Sequence, residues 1–370
     1  MYILTLSRVK FLFGFGIACL LVQLLFVCYY NETTRPFYNL FTSIVNYNLS
    51  TSIVKYNVPP TSPGPNPRLN LSSILDMVDH KIQDNEIKVN HLLLCPEIPP
   101  ALNETVSLIT PAREKLEEVA QQLAWLRLFE GGHQMPFDCQ ARNKIAIIVP
   151  YRDRLSNLCW LLLNLHPFLT KQQLDYTIFV VEQFNESLIE QDGELFNRGM
   201  LMNVGFTEAL KLNDFDCFFF HDVDLIPLNY RNIYNCPDQP RHMAVAVDKW
   251  RYSLPYKEYF GGVLAMSQAH FKLINGFSNM YWGWGAEDDD LRNRVIAKKL
   301  KIIRYPPDVA RYHSCSHRVQ TANPKRRELL LKSFLRIETD GLSSLKYKLI
   351  ALKKFQMFTY LLVDLSSNPI

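Results

Sequence analysis

The densest run of acid in the chain is Glu287-Asp288-Asp289-Asp290, set directly behind the loop Tyr281-Trp282-Gly283-Trp284-Gly285-Ala286. Four consecutive carboxylates repel one another, and folding alone gives no reason to collect them. A divalent cation to hold, a sugar hydroxyl to deprotonate, or both would supply that reason. Upstream, Phe218-Phe219-Phe220-His221 leads into Asp222-Val223-Asp224. An extended backbone turns residues i and i+2 to one face. Two carboxylates placed there suit a hard divalent ion carrying a diphosphate. The spacing alone is weak, since Asp214-Phe215-Asp216 shares it; that pair lacks the apolar lead-in and reads as surface. Acids 287–290 also suit a helix N-terminus, where they complement the dipole, and Leu291-Arg292-Asn293-Arg294 reads as helical. That role leaves Trp282 and Trp284 unexplained. In a glycine-rich loop they offer the broad aromatic faces that stack on sugars.

Such groups need a scaffold. Lys144–Pro150 reads as a β-strand that runs into the basic loop Tyr151-Arg152-Asp153-Arg154, and a helical apolar pattern follows from Leu155 to about Leu169. Further strands are expected at Tyr176–Glu182, Asp216–His221 and Met243–Val247, with a helix over Asn197–Leu212. Strands alternating with helices predict an α/β fold with an open, largely parallel sheet flanked by helices. Ligands of such sheets bind beyond the carboxyl ends of the strands. Arg152, Arg154, Asp222 and Asp224 all fall at that edge.

With 370 residues, 48% hydrophobic and 12% aromatic, the chain can bury a large core. Its net charge of +4 is spread out and makes no case for nucleic acid. Phe11–Tyr30 is a run of twenty uncharged residues, long enough to cross a bilayer as a helix. Arg8 and Lys10 precede it, so the body is expected on the lumenal side. The organisation read from these features is a cytoplasmic tail over 1–10, a transmembrane signal anchor over 11–30, a lumenal stem over 31–90 and a catalytic domain over 91–370. Asn-x-Ser/Thr sequons at Asn31, Asn48, Asn70, Asn103 and Asn185 agree with a secretory lumen, and the proline-rich stretch VPPTSPGPNPRLN suits an exposed stem. Of the eight cysteines, Cys19 and Cys28 fall in the apolar run. Cys95, Cys139, Cys217 and Cys236 can form two bridges in an oxidising lumen. Three pairings are possible, the local one joining Cys95 to Cys139 and Cys217 to Cys236. Cys159 and Cys315 are left over.

From about Cys95 onward the chain resembles the β-1,4-galactosyltransferase family, type II Golgi enzymes with a GT-A nucleotide-sugar fold. The motifs that carry the resemblance are Val149-Pro-Tyr-Arg-Asp-Arg154, Phe196-Asn-Arg-Gly-Met-Leu-Met-Asn-Val-Gly-Phe206, His221-Asp-Val-Asp-Leu-Ile-Pro227, Tyr259-Phe-Gly-Gly262, Asn275-Gly-Phe277, the block from Trp282 to Asp290, and Thr339-Asp-Gly-Leu342. The resemblance implies single-pass anchoring in the Golgi membrane. It also implies inverting transfer of galactose from UDP-galactose to the 4-hydroxyl of a terminal N-acetylglucosamine on a glycoprotein or glycolipid. By the same resemblance Pro150, Arg152, Arg154, Phe196, Arg198, Asp222, Val223, Lys249, Tyr259, Gly262 and Trp284 face the donor. Asp224 and His317 bind Mn2+, with His313 a near rival. Asp288 is the base that takes the acceptor's proton, and Glu287, Asp289, Arg326, Arg327 and Leu330 hold the acceptor. The local disulfides fit the family pattern.

Three positions depart from that pattern. Ser314 stands where the family usually has methionine, Ala286 where glycine is common, and Arg327 where an aromatic residue borders the acceptor's N-acetyl group. At Tyr259, relatives that use UDP-N-acetylgalactosamine tend to have Ile or Leu, so a phenol implies UDP-galactose. The alternative within the family is a β-1,4-N-acetylgalactosaminyltransferase using UDP-N-acetylgalactosamine. Two other classes remain: a catalytically silent glycan-binding relative, and a metal-dependent diphosphatase acting on nucleotide sugars.

Overall fold

The structure is a computed structural model that describes residues 92–100, 102, 106–184, 195–316 and 320–365, all within the compact unit Tyr56–Ile370. The expected tail, anchor and stem, the five sequons and His317 lie outside the described residues. Among the described residues, no helix is long and apolar enough to cross a membrane.

The strands are His133–Gln134 (β1), Lys144–Tyr151 (β2), Asp175–Gln183 (β3), Cys217–His221 (β4), Leu225–Pro227 (β5), Arg241–His242 (β6), Ala246–Val247 (β7), Val263–Ser267 (β8), Ile303–Arg304 (β9), Arg311–Ser314 (β10), Lys348–Lys354 (β11) and Thr359–Asp364 (β12). The helices are Leu116–Gln122 (α1), Leu155–Lys171 (α2), Arg198–Leu212 (α3), Gln268–Leu273 (α4), Glu287–Ala297 (α5), Arg326–Leu331 (α6) and Ser333–Arg336 (α7).

The main sheet runs β11-β12-β3-β2-β4-β8-β6-β9, with β1 beside the start of β3. At its centre β2, β3, β4 and β12 are parallel. The sheet as a whole is mixed, which corrects the expectation of a largely parallel one. β8 returns antiparallel beside β4, β6 is antiparallel to β8, and β11 to β12. The physical reason lies in the link between β4 and β8. It contains no α-helix, and a parallel return needs a crossover helix. Met243–Val247 is not one strand either. The chain leaves the main sheet after His242 and enters a second sheet, ordered β5-β10-β7, at Ala246.

Both faces of β2 are covered, so Ile145-Ala146-Ile147-Ile148-Val149 is apolar without alternation and fully buried. Ala146 and Ile148 join Met200, Val204, Phe206, Phe218 and Phe220 in the core beneath α3. Each of the larger side chains contributes about 1.5–3 kcal/mol by leaving water. Gly205 sets how closely α3 approaches, because a Cβ there would overlap methyl groups of Ile148 and Val181. Cys95–Cys139 and Cys217–Cys236 are both bridged, and Cys159 and Cys315 are buried free thiols. By loop closure alone each bridge stabilises the fold by about 3–4 kcal/mol.

Candidate active site

The carboxyl ends of β2 and β4 open on one cavity of about 570 Å³. Past β2 the chain turns through Arg152 and Arg154 before α2 begins. At the end of β3, Gln183 Oε1 accepts from the backbone N–H of Asn197 at 2.9 Å. Asn197 then caps α3 by accepting from Met200 N–H at 2.9 Å. That cap delivers Phe196 and Arg198 to the cavity wall, and the Arg152 guanidinium lies 5.1 Å from the centre of the Phe196 ring.

Beyond β4 the backbone turns at once. Leu225 N–H donates to the Asp222 carbonyl, closing a turn over Asp222-Val223-Asp224. The paired carboxylates therefore sit on a turn between β4 and β5, not on an extended strand end. Their chemistry differs as well. Arg198 Nε donates to Asp222 Oδ1 at 2.7 Å, while Asp224 is nearly buried and its carbonyl accepts from Cys315 N–H at 2.8 Å. Asp214 and Asp216, the control pair, are exposed.

The four consecutive acids divide into two groups. Ala286 caps α5 at φ +75°, in the left-handed region; that conformation costs an alanine about 1–2 kcal/mol, so a glycine would fit this bend better. Glu287, Asp288 and Asp289 line the cavity. Asp290 points away into the core, where it binds Arg294 Nε at 2.6 Å and accepts from the Tyr281 hydroxyl at 2.9 Å. Glu287 lies 3.6 Å from Arg198, and Tyr256 Oη donates to Asp289 Oδ1 at 2.8 Å.

Burial dominates the electrostatics. Burial first, then Glu287 and Asp289, push the Asp288 carboxyl up to about 8. Burial also raises Asp222 and Glu287, with Arg198 pulling the other way. Burial opposes the charge of Arg198, but Asp222 and Glu287 outweigh it and hold the guanidinium firmly protonated. Arg198 Nη1, Glu287 Oε2 and Arg326 Nη1 are buried without a hydrogen-bond partner inside the protein. Buried polar atoms left open in this way are what a polar ligand completes.

Every described residue assigned to the donor, the metal or the acceptor lines this one cavity, from Pro150 to Leu330. Trp282, expected to offer a sugar-stacking face, instead packs partly buried against the hydrophobic core, and neither it nor His313 is in the lining. Tyr259 and Gly262 close one wall. A Cβ at Gly261 would overlap Asp288 Oδ2 and the Tyr259 hydroxyl, so glycine is required where these groups meet. Lys249 lies on a short helical turn, 4.5 Å from the Trp250 ring. Trp284 is 59% exposed. Its backbone N–H donates to Thr321 O, its backbone carbonyl accepts from Asn323 N–H, and Arg326 stacks 5.1 Å from its ring. His313 is bound to Asp248 at 2.5 Å. Sequence reasoning missed Trp250, Pro255, Tyr256 and Gln320 in the lining; the aromatic run Trp250-Arg-Tyr-Ser-Leu-Pro-Tyr256 was the available signal.

One described side chain suits a divalent cation in kind. Asp224 offers a hard carboxylate in the cavity, and the hydrogen bond from Cys315 ties the segment that precedes His317 to Asp224. Among the described residues, no group of three His, Cys, Asp or Glu converges as a metal cluster.

The family model for the N-terminal region of glycosyl transferase group 7 matches residues 95–237, and that for the N-terminal domain of galactosyltransferase matches 241–318. β-1,4-Galactosyltransferase 4 of Cricetulus griseus is 43% identical over 273 residues, 73% of this chain and 76% of that protein. Human β-1,4-galactosyltransferase 1 is 40% identical over 312 residues, 84% of this chain and 74% of that protein. Among solved structures, a mutant of Drosophila β-1,4-galactosyltransferase 7 in complex with manganese, UDP-Gal and xylobiose superposes with a TM-score of 0.52 at 29% identity. That match covers 61% of this chain and 95% of the fly chain, and the architecture is a GT-A-like α/β fold with a mixed sheet flanked by helices. Matches of this length and identity, falling on a cavity built from the same motifs, make the chain a galactosyltransferase that belongs to the β-1,4-galactosyltransferase family.

Proposed function

We propose that the chain transfers galactose from UDP-galactose, with inversion, to the 4-hydroxyl of a terminal N-acetylglucosamine on a glycoprotein or glycolipid. In this reading it is held in the Golgi membrane by residues 11–30, with residues 91–370 in the lumen. The observation that carries the reading is Asp288. It is a buried carboxyl among other carboxylates, raised to about 8, facing the same cavity as Arg152, Arg198, Asp224 and Lys249. A general base works best when its proton affinity lies near the operating pH.

The donor's uridine end lies along Arg152, Arg154, Phe196 and Arg198, and the diphosphate meets Lys249 and Trp284. Asp224 and His317 would hold Mn2+, which would supply charge neutralisation to the departing UDP. Glu287 and Asp289 hold the acceptor sugar by its hydroxyls. Asp288 removes the proton from the acceptor 4-hydroxyl as that oxygen bonds to carbon 1 of galactose. The bond from carbon 1 to the diphosphate oxygen breaks on the opposite face, and its electron pair leaves with UDP. Trp284, hydrogen-bonded on both sides to the 321–323 segment, limits water's access to the same carbon.

The test uses the purified full chain with manganese, UDP-galactose and a panel of monosaccharide glycosides. N-acetylglucosaminides are expected to be the best acceptors, and Asp288→Asn is expected to lower kcat by about 10²–10⁴ with UDP affinity retained. Wild-type turnover in the variant removes Asp288 from the mechanism. UDP release that is equally fast with and without acceptor makes the protein a diphosphatase.

A further inference from the structure

We propose that the outer face of α6 and α7 docks on the surface of a lipid bilayer, presenting the acceptor end of the cavity to sugars carried on lipid. The two helices form one nearly continuous element, since Lys332 N–H donates to Glu328 O and Leu335 N–H to Lys332 O. Its inner face is held on α5: Ser333 is buried and accepts from Asn293 Nδ2 at 2.9 Å, and Arg336 binds Asp290 at 3.1 Å. Leu331, Phe334 and Leu335, spaced i, i+3 and i+4, therefore share the opposite face. They are 85%, 54% and 84% exposed. Three large apolar side chains side by side in water mark an interaction surface.

Charge selects the occupant. Of the charged side chains in residues 325–336, Arg336 is bound to Asp290 and Arg326 stacks on Trp284, which leaves Lys325, Arg327 and Lys332 against Glu328 outside, a basic excess of two. Lys325, Arg327 and Lys332 are exposed around the apolar tips, with Lys332 also paired to the exposed Glu328. Apolar tips ringed by lysine and arginine on a short helical element suit the headgroup boundary of an anionic membrane. Arg326, Arg327 and Leu330 on the same element line the cavity, so docking turns that end of the site toward the bilayer. The proposal rests on the membrane-anchored reading for its access to lipid, and not on the identity of donor or acceptor.

The full chain is reconstituted into vesicles of phosphatidylcholine and phosphatidylserine, with an environment-sensitive dye on Phe334→Cys or, as control, on Lys348→Cys in β11. A blue shift and quenching by nitroxide-labelled lipid at position 334 but not 348 is expected. The absence of both at 334 overturns the proposal, as does a shift that needs added membrane protein, which makes the surface a protein-binding one. In the same vesicles Leu331→Ser with Leu335→Ser is expected to lower transfer to an N-acetylglucosamine-terminated lipid by about tenfold, leaving a soluble glycoside unaffected. Equal loss on both acceptors overturns the docking role. If wild type uses neither acceptor, the proposed activity fails while the dye result stands.

Discussion

Tyr259 shows how one side chain can set the room available to a donor sugar. Its ring packs edge-on against Trp250 and Tyr256 with centroids 5.2 and 5.5 Å away, and its hydroxyl sits over Gly261. Burial, then the charge of Asp288, keeps the phenol protonated far above neutral pH, so it acts as a hydrogen-bond donor. In the proposed donor pose this hydroxyl borders carbon 2 of the sugar, where an N-acetyl group would collide with the ring. Tyr259→Leu is therefore expected to raise the kcat/KM ratio of UDP-N-acetylgalactosamine to UDP-galactose by about tenfold or more. Parallel assays with the two donors check it, and an unchanged ratio counts against the assigned pose. Other single positions were legible in part. Glu287 to Asp290 stood out as one acidic block, yet only the helical phase of α5 separates the three that face the cavity from Asp290, which faces the core. The strain at Ala286 depends on a φ angle that no residue type reveals.

Helix α5 carries Glu287, Asp288 and Asp289, and a buried charge network holds it in place. Arg294, fully buried, donates to Asp290 at 2.6 Å and to the Asp340 carbonyl at 2.6 Å. Asp340 in turn accepts from Ser278 Oγ at 2.5 Å and from Asn279 N–H at 2.8 Å, and Asn279 O accepts from Asn197 Nδ2 at 2.7 Å. The acceptor side of the site is thus tied through Asp340 to the cap of α3, which carries the donor residue Arg198. Removing one partner of a buried pair leaves an uncompensated charge and costs about 3–5 kcal/mol. Arg294→Leu is expected to lose that much in urea unfolding, and Asp340→Asn less, because its carbonyl still accepts from Arg294. Equal stability of Arg294→Leu and wild type would show that the network does not hold α5. At this scale the sequence placed β2, β3, β4, α2 and α3 within a few residues, because each has a clear apolar period and local end signals. It did not place β8 or β12. Their partners, β4 and β3, are distant in the chain, and only tertiary pairing makes them strands. The expected strand at Met243–Val247 failed for the same reason: its apolar run is buried across two sheets, so burial does not report one ladder.

Over the whole molecule, the buried titratable groups oppose one another, and the balance sets where the fold is most stable. Burial lowers His166 and His221 to about 4 and His242 to about 3. Each is bonded as a neutral ring: His166 between Tyr176 Oη and Met357 O, His221 between Asp222 O and Tyr234 Oη, and His242 between Gly261 O and Arg304 Nε. An unfolded imidazole takes up its proton near 6.5, so these three contribute stability that is lost as pH falls from about 6.5 toward 4. Glu182 and Asp288 act in the other direction. Burial raises each to about 8, although the Tyr360 hydroxyl donates to Glu182 at 2.5 Å. Their folded forms hold protons that the unfolded chain releases near 4, so their contribution is lost as pH rises through about 8. Asp222 and Glu287, raised by burial as well, add to the alkaline side. Above about 6.5 the imidazoles no longer oppose the carboxyls, so Tm of the metal-free, substrate-free protein is expected to fall from about pH 6.5 to 8. Calorimetry across this range checks the shape. Glu182→Gln, which keeps an acceptor for Tyr360 without a titrating proton, is expected to make that fall shallower. A Tm that climbs steadily to pH 8 in wild type means that the two carboxyls ionise freely in the fold, and Asp288 then lacks the raised proton affinity on which its role as base depends.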